Sequence, residues 1–148
     1  MPAILLDTNI LVYANDQNNP AKQECAQQII RVLYTESQGY LSIQSFSEFS
    51  NVAIRKSRLS LSLEQVVEQI SWFVRIFRLL DLTPLVILEA VRGVQTYGLA
   101  YYDAQLWACA KLNQIPIIFS EDFQDGQTIE GVRFVNPFTE TFQLEKWL

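Results

Sequence analysis

Residues 99–122 read LAYYDAQLWACAKLNQIPIIFSED, and the order of features within them decides the fold. Tyr102 to Asn113 holds neither Gly nor Pro and is rich in helix formers, so it predicts a helix with Asp103 near its start. Pro116 to Ser120 follows as a short apolar run that stops at the polar Ser120-Glu121-Asp122. Such a run suits a strand buried on both faces and closed by an acidic turn. A helix returning through a tight turn into a buried strand is half of a βαβ crossover, the unit of parallel sheets.

The N-terminus repeats the strand-then-acid pattern. Ala3 to Leu6 is apolar and ends at Asp7-Thr8-Asn9. Pro20-Ala21 opens a helix through Thr35, with Ala26, Ile29, Ile30 and Leu33 on one face. Gly39 ends it, and Tyr40 to Ile43 reads as a second strand. Ser45 to Arg58 predicts a helix with Ser45 or Ser47 as N-cap. Ser62-Leu63-Glu64-Gln65 fits a capping box before a helix over Val66 to Ile76. Arg78 to Leu82 is a candidate third strand, and Thr83-Pro84 starts a helix that Gly98 stops. Val132 to Val135 is a last strand. Apolar strands alternating with amphipathic helices predict one α/β domain over residues 1–148, a sandwich around a central, largely parallel sheet of about five strands.

Composition narrows the chemistry. The 148 residues include 11 Lys+Arg, 16 Asp+Glu and no His, for a net charge of −5. Without imidazole there is no Ser-His-Asp or Cys-His relay and no His-built zinc site. Cys25 and Cys109 are too few for an all-Cys zinc site. They form no disulfide framework, and two thiols in apolar helical surroundings are expected to be buried and inert in a reducing, cytoplasmic setting. The start MPAILLDTN lacks the basic region of a signal peptide, and no run approaches the ~20 apolar residues of a membrane span. Catalysis must therefore rest on carboxylates, amines, hydroxyls or a hard metal held by oxygen.

In open α/β sheets ligands sit beyond the carboxyl ends of the strands, where the following helices begin. Asp7 and Asp122 follow strands, while Glu48 and Asp103 lie near helix starts. Each has a local alternative role, as a turn former, an N-cap or a first-turn partner of the helix dipole. Together the four acids predict a shared cleft. Carboxylates repel at close range unless a proton or cation relieves them, and Mg²⁺ or Mn²⁺ prefers oxygen ligands. Two such ions about 4 Å apart can activate a water and stabilise the leaving oxygen of a phosphodiester.

LLDTNILVYA from Leu5, SFSEF from Ser45, LAYYDAQLWACAKLNQIPIIFSEDF from Leu99 and VRFVNP from Val132 resemble the PIN domain, and especially the small VapC-type ribonuclease toxins of prokaryotic toxin–antitoxin pairs. The likeness runs from near the first residue to Pro137, and the order DTN, SEF, YDA, SED carries it. It implies a three-layer α/β/α nuclease fold and an acidic quartet of Asp7, Glu48, Asp103 and Asp122. Asp7, Asp103 and Asp122 would hold one Mg²⁺ or Mn²⁺, and Glu48 would share it or help hold a second. Thr8 or Asn9, and Ser120, match positions that orient the first acid or a water on the metal. Asp125 is the alternative to Asp122, or a helper behind it. RNA is the implied substrate, with 5′-phosphate and 3′-hydroxyl products. A small antitoxin and a second copy of the chain are the implied partners.

Arg55, Lys56 and Arg58 form the one dense basic patch. Arg55 lies seven residues after Glu48, on the same helical face, where it would meet a phosphate. The alternative is that these cations only favour a helix end. Competing readings of the whole chain are a PIN-domain RNA-processing nuclease outside toxin systems and a catalytically silent binding module. An Asp-nucleophile phosphatase ranks below these, because position 9 is Asn where a second Asp is usual.

Overall fold

The computed structural model describes residues 2–55 and 58–148. Its sheet has the order β3-β2-β1-β4-β6-β5. β1 (Ile4–Leu6) is central, flanked by β2 (Gly39–Ser42) and β4 (Ile117–Phe119). β3 (Arg78–Leu80) lies beyond β2, and β6 (Val132–Val135) beyond β4. These five strands are parallel, and β5 (Thr128–Ile129) alone runs antiparallel, against β6. β5 is the strand that the sequence pattern does not announce, because two residues carry no periodicity.

Helices cover both faces of the sheet, which is why β1 and β4 can be apolar throughout. Ile4 and Leu6 point into one core, with α1 (Thr8–Ala14), α2 (Pro20–Thr35), α3 (Ile43–Ile54) and α4 (Leu63–Ile76). Leu5 points the other way with Ile118 and Phe134, under α5 (Pro84–Tyr97) and α6 (Tyr101–Leu112). The result is a three-layer α/β/α sandwich. α5 and α6 approach closely at Gly93, where a Cβ would stand 2.8 Å from the Trp107 ring.

The caps locate the helices, with three differences from expectation. Ser62 and Gln65 form the capping box, Thr83 accepts from the Val86 N–H, and Gly98 ends α5 in the left-handed conformation at φ 68°. α3, however, is capped by Ser42, which accepts from the Ser45 N–H, and not by Ser45 or Ser47. β2 runs into α3 without a loop, so the last strand residue is also the cap. α3 also ends at Ile54, short of Arg58. α1 is the helix missing from the sequence reading, because nearly every residue of it is buried and no polar face marks its period. Cys109 is buried as expected, whereas Cys25 is partly exposed. Among the described residues no helix is long and apolar enough to cross a membrane.

This topology brings four chain segments to one edge. Asp7 follows β1, Ser42 leads from β2 into α3, Ser120 follows β4 and Asn136 follows β6. α6 descends to the start of β4, so its first turn lies at that same edge.

Candidate active site

Asp7 sits at the N-cap of α1 with extended backbone. Its Oδ1 accepts the Thr8 N–H at 2.7 Å and its Oδ2 accepts the Ser120 hydroxyl at 2.6 Å. Ser120, itself 1% exposed, accepts the Asp122 N–H at 3.1 Å and so ties the ends of β1 and β4 together. Burial pushes the Asp7 carboxyl up to about 7. The bonds from Ser120 and Thr8 offset part of that rise, and the charges of Asp122 and Glu48 add to it.

Glu48 stands in the second turn of α3. Its Oε2 accepts the Thr8 hydroxyl at 3.0 Å, and its Oε1 accepts from the Gln44 amide at 2.8 Å. Asp122 accepts from the Asn9 amide at 3.2 Å. Asp103, half-buried in the first turn of α6, has its carboxyl raised by burial first and then by Asp122 and Glu48. The four acids therefore share one field. Among the described residues no Lys or Arg forms an ion pair with any of them.

The neighbouring acids are disposed differently. Glu121 turns to Lys22 at 2.9 Å and accepts the Tyr13 hydroxyl at 2.5 Å. Asp125 accepts the Asn136 N–H at 2.9 Å and braces the turn after β6. Its charge does not figure in the shifts of Asp7 or Asp103, whereas that of Asp122 figures in both.

The donor set suits a hard divalent cation: carboxylate, hydroxyl and amide oxygens, with surplus negative charge. Asn9 Oδ1 adds to this, since it is buried with no hydrogen-bond partner. Among the described residues no three acids close to the spacing of a filled metal cage. Asp7, Glu48 and Asp122 are tied instead to Ser120, Thr8 and Asn9.

Two residues at this edge were not singled out from the sequence. Gln105 donates to Gln44 Oε1 at 2.5 Å, and Gln44 bonds both Glu48 and the Tyr102 carbonyl, the latter at 3.2 Å. This relay locks α3 to α6. Its signal was present, since Gln105 is a buried polar residue in an apolar helix, and such groups need partners. Both glutamines line a groove of about 620 Å³ beside Glu48 and Tyr102.

The basic patch is less uniform than its sequence. Arg55 is exposed at the C-cap of α3, Arg58 lies 3.6 Å from Asp16 and over the Tyr13 ring, and Lys56 lies outside the described residues.

The fold has many solved relatives. A toxin–antitoxin complex from Klebsiella pneumoniae aligns with TM-score 0.65 at 22% identity, covering 92% of this chain and 98% of that one. VapC20 from Mycobacterium tuberculosis, a toxin that cleaves the sarcin-ricin loop, aligns with TM-score 0.65 at 16% identity over 88% of this chain and 99% of that one. VapBC2 from Rickettsia felis, bound to a promoter DNA fragment, aligns with TM-score 0.66 at 14% identity over 89% and 96%. Among curated proteins no sequence matches this chain. The PIN domain family model matches residues 4–124, which span Asp7, Glu48, Asp103 and Asp122 alike, and the chain therefore belongs to the PIN domain family.

Proposed function

We propose that this chain is an endoribonuclease dependent on one or two Mg²⁺ or Mn²⁺ ions, and that it is the cytoplasmic toxin of a type II toxin–antitoxin pair. The observation that carries this reading is the set of four carboxylates at the carboxyl edge, with which no Lys or Arg among the described residues forms an ion pair. Asp7, Asp103 and Asp122 would hold the ion, and Glu48 would share it or help hold a second. When bound, such an ion lowers the pKa of water to make a nucleophile and neutralises charge on the phosphodiester.

The chain's own residues do the positioning. Ser120 fixes the rotamer of Asp7, Thr8 fixes Glu48 and Asn9 fixes Asp122. The Gln105–Gln44 relay holds Glu48 against α6. Burial of Asp7 excludes water from one side of the cluster and strengthens its field.

A small antitoxin is the proposed partner, supported by the toxin–antitoxin complexes among the structural relatives. A second copy of the chain is the other. Its support is the apolar face of α5, where Leu85 and Leu88 are about two-thirds exposed (68% and 67%).

The test is incubation of the purified chain with structured and single-stranded RNA, with and without Mn²⁺, beside Asp7→Asn. Mn²⁺-dependent cleavage that Asp7→Asn lacks is expected. Equal cleavage by a folded Asp7→Asn protein overturns the assignment. Co-expression with each neighbouring small reading frame tests the toxin role: toxicity rescued by one partner is expected, and a chain that is harmless alone points to RNA processing instead.

A further inference from the structure

The start of α2 and the segment 137–145 enclose a cleft of about 490 Å³ that the acid cluster does not use. Its lining connects to that same sheet edge at two points. The segment leaves β6 at Asn136, and Lys22 on the cleft's rim donates to Glu121, the neighbour of Asp122. Its lining includes Phe138 and Phe142, both partly exposed. It also includes Gln28 on α2 and Gln143, exposed residues whose side-chain amides make no hydrogen bond among the described residues.

These groups match one kind of guest. Aromatic faces stack any base, and free amides can meet its polar edge. An ammonium has three donors, and Lys22 commits two of them, to the Tyr13 hydroxyl at 3.2 Å and to Glu121 at 2.9 Å. The third is available to a phosphate. Exposed Glu145 lies in the lining as well, and its charge disfavours a phosphate near it. The phosphate therefore belongs at the Lys22 side, toward the acid cluster, with the base directed inward. The volume falls in the range of roughly 300–1,000 Å³ usual for small-ligand sites, which suits one nucleotide and is too small for a helix.

We propose that this cleft holds one unpaired nucleobase of the RNA strand beside the bond cut at the acid cluster, with Lys22 on that nucleotide's phosphate. The identity of the strand rests on the nuclease reading above; the binding itself does not.

Cys25 supplies the test, because it lines the cleft and is partly exposed while the chain's other thiol, Cys109, is buried. The rate of Cys25 alkylation is measured by mass spectrometry on the full chain in EDTA, with AMP, GMP, CMP or UMP added. At least one mononucleotide is expected to slow labelling several-fold, and Asp7→Asn to show the same protection. Phe142→Leu, which keeps bulk and removes the ring, is expected to weaken protection about tenfold. Lys22→Met is expected to weaken protection by the mononucleotide and not by the corresponding nucleoside. Ala21→Trp, on an exposed first-turn position, is expected to block the mouth and abolish protection. Absence of protection by all four mononucleotides overturns the proposal, as does equal protection by ribose 5-phosphate. RNA cleavage without nucleotide protection removes the cleft proposal alone. Protection in a chain that cleaves no RNA removes the nuclease reading and leaves the cleft.

Discussion

Two groups of carboxylates in this protein meet opposite fates. Between α5 and α6, Glu89 and Glu130 are surrounded by donors: Arg92 bonds both, Lys111 reaches each at 3.0 Å, and the Tyr97 hydroxyl donates to Glu130. Tyr97 first, then Arg92 and Lys111, hold the Glu130 carboxyl down to about 2, and Arg92 leads the lowering of Glu89. At the carboxyl edge the signs reverse, with Asp7 raised to about 7 and Asp103 raised as well. One cluster is complete as it stands and staples two helices to the turn before β6. At the other, burial first and then the neighbouring carboxylates disfavour charge, and among the described residues no Lys or Arg pairs with the four acids, so a proton or a cation from solution would relieve them. A net charge of −5 does not distinguish these cases; the placement of partners does.

The largest test of this contrast is Asp7→Asn. It should reduce Mn²⁺-dependent RNA cleavage by about a thousandfold or more, measured by single-turnover kinetics, because it removes the charge of the central ligand in the proposed metal site. Next comes Ser120→Ala. Loss of the bond that orients Asp7 should weaken Mn²⁺ binding, followed by calorimetry, by about ten- to a hundredfold. Thr8→Val should act similarly through Glu48.

The third test uses pH. Asp7 ionises near 3.8 when unfolded and near 7 when folded, so between those values the folded state binds the extra proton. Its contribution to stability is therefore intact below about pH 4 and is lost as pH rises through 7. Without metal, Asp7→Asn should unfold at a higher temperature than the native chain at pH 8, by an amount worth a few kcal/mol, and the gap should close toward pH 4. Added Mg²⁺ should close it from the other side. A gap independent of pH would mean that Asp7 is not desolvated. The smallest effect is expected for Glu130→Gln, a slight fall in Tm that shrinks with added salt and leaves cleavage unchanged. A loss of cleavage there would erase the distinction between the two clusters.

Much of the fold was legible because burial on both faces writes a strand as an apolar run, as at Ile117–Phe119, and because caps such as Ser62 and Thr83 mark helix starts. α1 was not, since Ile10 to Ala14 is buried all round and offers no face to read. The four acids stood out by position relative to strand ends. What the sequence could not display was company. Nothing in SEDF indicates that Glu121 pairs with Lys22 while Asp122 faces Asn9. Nor does spacing show that Arg58, beside Arg55 in sequence, is drawn to Asp16. Such pairings depend on contacts between segments about 40 to 113 positions apart, which local pattern does not encode.

The hydrogen bond from Ser120 to Asp7 spans 113 positions of the chain, and β1 gains its β4 neighbour over the same interval. Loops of that length close late, after local helices and near-neighbour strands have formed. On the ribosome, β1 emerges first, and Asp7 can meet the Thr8 N–H at once but must wait for a segment 113 positions downstream before it meets Ser120. The half-made chain carries Asp7 and Glu48 with neither Ser120 nor Asp122 to complete the edge. Sequence distance acts here as a timer, and the edge that joins Asp7 to Ser120 closes only after a segment 113 positions downstream has emerged.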